Sequence, residues 1–211
     1  MQLEQIRPHL WWWTAPHPGW SPDSFQEGRG WERDVSCYAL VADDAFVLFD
    51  PLVPEGEEER FWEAVDRDVH GHGPPAVLLT VYWHARSAGA VLERYEGASV
   101  WVHARSREQF AERVRITNEF ADGDVLPGGV EAIALHQAAE AAFWLPTHRA
   151  LVLGDSVLGY EGRAELSPES WLDEGQSQTE SEAAIRRALE REPELLLLTH
   201  GGPRPAAQLQ L

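Results

Sequence analysis

An apolar segment of strand type passes directly into a polar segment at residues 77–89, which read Val77-Leu78-Leu79-Thr80-Val81-Tyr82-Trp83-His84-Ala85-Arg86-Ser87-Ala88-Gly89. A short apolar run with a turn signal at each end is typical of a buried strand, so we predict one from Pro74 to Thr80. Apolar residues at helical spacing predict a helix from Arg86 to Tyr95. Because strand ends hold side chains rigidly, we expect functional residues at this junction.

On both sides of the junction the pattern alternates strands with helices. Strands are predicted at 36–41, 45–49, 99–102, 129–135, 141–145, 150–153 and 195–199. Helices are predicted at 55–69, 106–114 and 180–190. Residues 21–34 read as a long loop that could cover a site. This order predicts a sandwich with helices on its outer faces, in one domain over residues 1–211.

Composition limits the classes of partner. The formal net charge is −18 and the chain contains no lysine, which argues against binding nucleic acid or an anionic membrane, since both need cationic patches. No apolar run is long enough for a membrane-spanning helix, and the first residues do not resemble a secretory signal. Cys37 is the one cysteine, so no internal disulfide can form. These features predict a cytoplasmic, bacterial-type protein.

The order of several landmarks resembles the metallo-β-lactamase superfamily over nearly the whole chain. The superfamily carries Thr-His-x-His-x-Asp-His at the position of the Thr80 junction. The other landmarks are Ser36-Cys37-Tyr38, Val47-Leu48-Phe49-Asp50, His136 after the strand that ends at Leu135, Val152-Leu153-Gly154-Asp155, and Leu198-Thr199-His200-Gly201-Gly202. The resemblance implies an α/β (α+β) fold, a metallo-β-lactamase-like αββα four-layer sandwich, and an activity of the hydrolase type.

The metal-binding phrase is degenerate in this chain. With Thr80 as the anchor, Val81 and Trp83 replace the paired histidines, Ala85 replaces the aspartate, and Arg86 replaces the closing histidine. A shift of one residue would place His84 on the second histidine position, but neither alignment leaves a normal binuclear centre. The ligand positions that match the superfamily are His136, Asp155 and His200, with His84 as an additional candidate.

Two interpretations of this site stay open. In the first, His136, Asp155 and His200 hold one divalent metal, with zinc or iron suited to two imidazoles and a carboxylate. The chain would then hydrolyse a small ester, thioester or amide, with His84 as a ligand or general base. In the second, no metal binds, and Arg86 pairs with Asp155 and supplies the missing positive charge. Asp155, His84 and Arg86 are therefore the candidate catalytic residues, and whether the chain is an enzyme or a non-catalytic ligand-binding protein is left open.

Aromatic residues are the candidates for contact with a small molecule. Tyr82 and Trp83 lie beside the candidate ligands and are predicted to bind substrate. The triplet Trp11-Trp12-Trp13 should alternate between the two faces of a strand, and exposed Trp residues would also suit a homodimer interface. The remaining histidines are interpreted as structural, among them His17, and His70-Gly71-His72 is predicted to lie in a loop.

Overall fold

The structure is a computed structural model that describes residues 3–26, 29–135, 140–172 and 175–211. The strands of this described part are β1 (Leu3–Arg7), β2 (Leu10–Pro16), β3 (Phe25–Gln26), β4 (Arg29–Gly30), β5 (Asp34–Val41), β6 (Phe46–Phe49), β7 (Ala76–Leu78), β8 (Ser99–His103), β9 (Asn118–Phe120), β10 (Val125–Leu126), β11 (Val130–Ala134), β12 (Ala141–Leu145), β13 (Ala150–Leu153), β14 (Val157–Tyr160), β15 (Arg163–Leu166), β16 (Leu195–Leu198), β17 (Gly202–Pro205) and β18 (Leu209–Gln210). The α-helices are α1 (Glu58–His72), α2 (Ala88–Arg94), α3 (Arg107–Ala111) and α4 (Gln178–Leu189).

Two large mixed sheets form the centre of the molecule. The first has the order β1-β2-β5-β6-β7-β8-β9, and the second has the order β10-β11-β12-β13-β16-β17. In the first sheet β6 to β9 run parallel, and in the second β13 and β16 run parallel. Parallel neighbours end at the same edge of a sheet, so the residues that follow β6, β7, β13 and β16 can converge.

The apolar side chains form three layers, as expected for a sandwich with helices outside. One layer, which includes Phe46, Phe61 and Val91, packs the first sheet against α1, α2 and α3. A second layer, which includes Phe49 and Phe143, lies between the sheets. A third layer packs the second sheet against α4 through Ile185. The predicted four-layer αββα sandwich is confirmed.

The N-terminal tryptophans alternate as predicted. Trp13 is buried in the outer layer beneath α1, and Trp11 packs against the same layer. Trp12 packs against the layer between the sheets, and its indole N–H donates to Ser36 Oγ at 2.9 Å. Strand β2 thus uses both of its faces to join the hairpin to the sandwich.

The predicted helix boundaries needed two corrections. After β7 the chain forms a 3₁₀ helix at Tyr82–Ala85, and α2 begins only at Ala88, because Arg86 has a φ of 31° and interrupts the helical path. Helix α1 continues to His72, so His70 and His72 lie in its last turn and not in a loop. Gly73, with a φ of 86°, ends α1 in a left-handed conformation that favours glycine.

No helix among the described residues combines the length and the apolar character needed to cross a membrane.

Candidate metal centre

The candidate site lies where the two sheets meet, at the ends of four strands. Asp50 follows β6, Thr80 lies two residues after β7, Asp155 lies two residues after β13, and His200 lies two residues after β16. The sheets are joined here by backbone hydrogen bonds, from Ser36 N to Thr199 O at 2.8 Å and from Ala141 N to Thr80 O at 2.9 Å. The site therefore sits on a rigid frame that both sheets share.

A buried carboxylate, that of Asp50, organises the part of the site that comes from the first sheet. It accepts hydrogen bonds from Thr80 N at 2.9 Å and from Thr80 Oγ1 at 2.6 Å. Asp50 has a φ of 46°, a left-handed conformation that aspartate tolerates better than most residues. These contacts fix the chain at the start of the turn that carries His84.

The His84 ring lies between two carboxylates. The 3₁₀ turn buries His84 and brings its Nδ1 to 2.9 Å from Asp50 Oδ2. Its Nε2 lies 3.2 Å from Asp155 Oδ1. Because Nδ1 faces a carboxylate, it carries the proton of the neutral ring, and the lone pair of Nε2 then faces Asp155.

His84, Asp155 and His200 form one compact group. His200 Nε2 also approaches Asp155 Oδ1, at 3.1 Å. One potential ligand atom from each of the three residues lies within 4.8 Å of the others, and all three residues are buried. Within the described ranges this is the one group of three such residues that could hold a metal ion.

Trp83 orients the Asp155 carboxylate. Its indole N–H donates to Asp155 Oδ2 at 2.6 Å, so one oxygen of the carboxylate is occupied. The other oxygen, Oδ1, faces the two imidazoles. A residue that replaces a histidine of the superfamily phrase thus contributes through its N–H, although it cannot bind a metal.

The three side chains influence one another's protonation. Burial would raise the pKa of Asp155, but His84 and His200 beside it hold that pKa well below its usual value. Burial and the charge of Arg86 lower the pKa of His84, yet the carboxylates of Asp155 and Asp50 outweigh them and the pKa is raised overall. Burial lowers the pKa of His200, and Asp155 offsets this only in part. The protonation of each of the three residues therefore depends on that of the other two.

The surroundings of Asp155 Oδ1 show whether a metal ion would fit the site. It is buried and has no hydrogen-bond donor among the described residues, although two imidazole nitrogens lie 3.1 and 3.2 Å away, because neither approach has hydrogen-bond geometry. Ligand atoms around a tetrahedral zinc ion lie roughly 3.3 Å apart. The donor set of two imidazoles and a carboxylate also suits zinc or iron. The residues present therefore fit a single ion.

The Nδ1 atoms of His84 and His200 differ in their hydrogen-bond partners. His84 Nδ1 contacts a carboxylate, which is the usual arrangement behind a metal-binding histidine. His200 Nδ1 is buried and has no partner in the part of the chain that is described. Of the two imidazoles, His84 is therefore the better oriented.

A second buried carboxyl group, Glu140, holds the loop that carries Asp155. Glu140 accepts hydrogen bonds from Gly154 N at 3.0 Å, from Ser156 N at 3.1 Å and from Ser156 Oγ at 2.8 Å. Burial, together with the nearby Asp155 charge, raises the pKa of Glu140 to about 8. A Cβ at Gly154 would lie 2.7 Å from Thr80 Oγ1, so only glycine fits there. Local sequence does not indicate this role, because Glu140 simply precedes an apolar strand.

A cleft of about 270 Å³ opens onto the three residues. Its remaining lining is mostly aromatic and comes from His17, Trp31, Trp83, Arg86 and Trp171. The rings of Trp31 and His200 are 5.1 Å apart. Trp31 belongs to the segment that was predicted to cover a site, and its ring does form a wall of the cleft. His17, which was interpreted as structural, also lies in the cleft lining.

Arg86 does not form the predicted ion pair with Asp155. Its Nη1 lies 3.3 Å from the carbonyl oxygen of Asp50, and the ion pairs of Asp155 within the described residues are with the two histidines. Arg86 has a φ of 31° and lines the cleft, and the buried His84 takes the position next to Asp155.

Tyr82 was predicted to bind substrate and His136 to bind a metal, and the structure bears on them differently. The ring of Tyr82 packs against Trp83 at 4.6 Å and lies under Arg113, so Tyr82 is absent from the lining of the cleft. His136 lies outside the described residues. Its role as a ligand remains a prediction from the resemblance.

No protein-family model and no curated protein sequence matches this chain. Solved structures do match it over almost its full length. The metallo-β-lactamase FIM-1 from Pseudomonas aeruginosa, in its mono-zinc form, has a TM-score of 0.72 and 11% identity, with 98% of this chain and 90% of that chain covered. A metallo-β-lactamase from Pontibacter korlensis has a TM-score of 0.71 and 16% identity, with 98% and 94% covered.

A metallo-β-lactamase family protein from Thermus thermophilus is similar as well. It has a TM-score of 0.67 and 17% identity, with 97% of this chain and 77% of that chain covered. At these identities the likeness establishes the fold. The chain therefore has the metallo-β-lactamase fold, and the resemblance inferred from its sequence is confirmed at the level of the fold.

Proposed function

We propose that this protein is a metallo-β-lactamase-fold hydrolase that uses one divalent metal ion, held by His84, Asp155 and His200. The observation that supports the proposal most strongly is Asp155 Oδ1, a buried anionic oxygen that faces two imidazole nitrogens without a hydrogen bond to either. A cation between these three atoms would satisfy all of them. The degenerate phrase around Thr80 then represents a change from two ions to one, with His84 as the recruited ligand.

The reaction class follows from the donor set and the cleft. A divalent ion held by three protein ligands with an open position supplies Lewis-acid polarisation and a water of lowered pKa. The cleft volume of about 270 Å³ limits the substrate to a small molecule. A small ester, thioester or amide is the substrate class that we propose, as the sequence resemblance implied.

The residues of this chain have separate tasks in such a site. Asp50 holds the Nδ1 proton of His84, which directs the Nε2 lone pair into the cleft. Trp83 holds Oδ2 of Asp155, which leaves Oδ1 free. The rings of Trp31, Trp83 and Trp171 line the cleft and give it apolar walls.

One experiment tests the proposed ligand set. Purified protein is stripped with a chelator, and zinc affinity is measured by competition with a chromogenic chelator for the wild type, His84→Ala and His70→Gln. His70 is exposed near the end of α1, so His70→Gln is the matched histidine control. We expect tight binding by the wild type and the control, and loss of binding by His84→Ala. Equal affinities in all three proteins would contradict the proposal.

A second experiment tests the reaction. Zinc-loaded protein is assayed with p-nitrophenyl acetate, a small thioester and the lactam nitrocefin. We expect turnover of at least one that disappears on chelation and returns with zinc. If the protein binds zinc but turns over none of these substrates, the proposed hydrolase activity is rejected and only the proposed metal site stands.

A metal-free binding protein is the second candidate, and one observation favours it. With both ring nitrogens of His84 facing carboxylates, a second proton on that ring would also neutralise the site, and its pKa is raised in that direction. In that case the aromatic cleft would bind a small ligand without hydrolysis. A stripped protein that fails to take up added zinc, iron or manganese would select this candidate.

A further inference from the structure

His17 lies at the mouth of the cleft on a well-anchored turn. Its backbone N–H donates to Arg33 O at 2.9 Å, and its carbonyl oxygen accepts from Trp20 N at 3.0 Å. The indole N–H of Trp20 in turn donates to Trp31 O at 3.2 Å. These bonds tie the turn at residues 17–20 to Trp31 and Arg33.

The position of the ring is also fixed. The rings of His17 and Trp31 pack nearly at right angles, with centroids 5.0 Å apart and planes at 89°. Trp31 is itself 5.1 Å from the ring of His200. His17 therefore lines the same cleft as the candidate ligands and is separated from His200 by one aromatic ring.

A backbone contact sets the tautomer of His17. Gly19 N donates to Nδ1 of His17 at 3.1 Å. Because a backbone N–H can only donate, Nδ1 must carry a lone pair, and the proton of the neutral ring is on Nε2. Burial, followed by the charges of Arg86, His200 and His84, lowers the pKa of His17 to about 4, so the ring is neutral at physiological pH.

The Nε2–H group therefore offers a hydrogen bond. No acceptor for it is present among the hydrogen bonds of the described residues, and the ring lines the cleft. Metal binding through Nε2 would require the proton to move to Nδ1, which would break the bond from Gly19 N. The ring is thus arranged as a donor and not as a fourth metal ligand.

We propose that His17 binds substrate by donating a hydrogen bond from Nε2 to a carbonyl or carboxylate oxygen. The proposal rests on the proposed function for the presence of a substrate in the cleft. It deepens that function, because it selects molecules that present an acceptor oxygen to the mouth of the cleft while an apolar part contacts the tryptophans.

The first measurement is the tautomer itself. Two-bond proton–nitrogen spectra of ¹⁵N-labelled protein, metal-free and zinc-loaded, distinguish a protonated from an unprotonated ring nitrogen, and His17→Asn assigns the signals by their loss. We expect His17 to have a protonated Nε2 and an unprotonated Nδ1 in both preparations. The opposite tautomer would overturn the proposal.

The second measurement uses phenylacetate as a probe, since it combines an aromatic ring with a carboxylate. His17→Asn keeps an acceptor near the Nδ1 position and removes the donor, whereas His17→Gln places an amide N–H near the Nε2 position. We expect about 10-fold weaker phenylacetate binding by His17→Asn and substantial recovery in His17→Gln. Equal affinities in all three proteins, or no detectable binding by the wild type, would overturn the proposal.

Zinc affinity, measured on the same variants, separates the two proposals. We expect it to be unchanged in His17→Asn. If zinc affinity falls together with phenylacetate affinity, His17 is a metal ligand, and this inference fails while the proposed function stands. If the wild type binds no metal but the metal-free protein still shows the phenylacetate difference, the proposed function fails and this inference stands.

Discussion

The two sheets contribute unequally to the candidate site. The second sheet supplies Asp155 and His200 from positions directly after β13 and β16, where the superfamily resemblance placed them. The first sheet supplies only His84, from a 3₁₀ turn, while Val81 and Ala85 of the same turn are buried in apolar surroundings. In the proposed ligand set, two ligands follow strand ends and one lies in a turn, so we expect the position of the third to depend more on neighbouring contacts such as that of Asp50.

The largest effect is expected on zinc affinity when a proposed ligand from either sheet is removed. His84→Ala and His200→Ala should each reduce zinc affinity on the order of 100- to 1000-fold, because each removes one of three protein ligands. Calorimetric titration of stripped protein measures this. If only His200→Ala weakens binding, the first sheet contributes no ligand and the comparison fails.

The next largest effect is expected at Asp50, which supports the residues that the first sheet contributes to the site. Asp50→Ala removes the acceptor of Thr80 N, Thr80 Oγ1 and His84 Nδ1, and should lower the free energy of unfolding by about 3–5 kcal/mol. Urea denaturation measures the change. Asp43→Ala, in the exposed hairpin turn, is the matched control and should leave the stability nearly unchanged. Similar stabilities for the two variants would show that Asp50 does not support the site.

The buried Glu140 on the second sheet's side predicts a pH dependence. Its pKa is raised from 4.5 to about 8, so between these values the folded state binds more protons than the unfolded state. Stability should therefore fall as pH rises through this window, by a few kcal/mol in order of magnitude, and the full cost is reached above about pH 8. Denaturant unfolding at a series of pH values measures the slope.

In Glu140→Gln, the free energy of unfolding should change less between pH 4.5 and about 8, because glutamine does not titrate. Glu59→Gln, at an exposed position of α1, is the control and should keep the wild-type slope. An unchanged slope in Glu140→Gln would mean that Glu140 is ionised at neutral pH in the folded state.

The smallest expected effect is at Trp83. Trp83→Phe removes the N–H that holds Asp155 Oδ2 and should weaken zinc binding about 10-fold, which is the usual cost of removing a group that orients a ligand. Trp62→Phe, on α1 away from the cleft, should bind zinc like the wild type. If zinc affinity falls equally in both variants, the cause is altered packing and not the loss of the Trp83 N–H.

Strands and layers were predictable because local pattern determines them. The strands at 141–145 and 150–153 are apolar runs with turn signals at both ends, and the structure has them with the same bounds. The interruption at Arg86 was not predictable, because a left-handed φ at a non-glycine residue depends on the surrounding packing. The helix α1 ran three residues further than expected for a similar reason, since only the Gly73 conformation ends it.

The site was predictable only where it coincides with strand ends. Asp155 and His200 were identified because the residues around them resemble superfamily motifs that follow apolar strands. The roles of Asp50 and Glu140 depend on burial and on contacts with distant segments, which residue order alone does not show. His17 was interpreted as structural because a lone histidine at a strand end is usually packed or exposed to solvent, and only the tertiary structure brings it next to Trp31.

Metal content tests the central claim most directly. Protein purified without chelator, and the same protein stripped and reloaded with zinc, should be analysed by elemental mass spectrometry against an accurate protein concentration. The account predicts one metal ion per chain, lost in His84→Ala. A value of zero after reloading, or of two in the wild type, would contradict it.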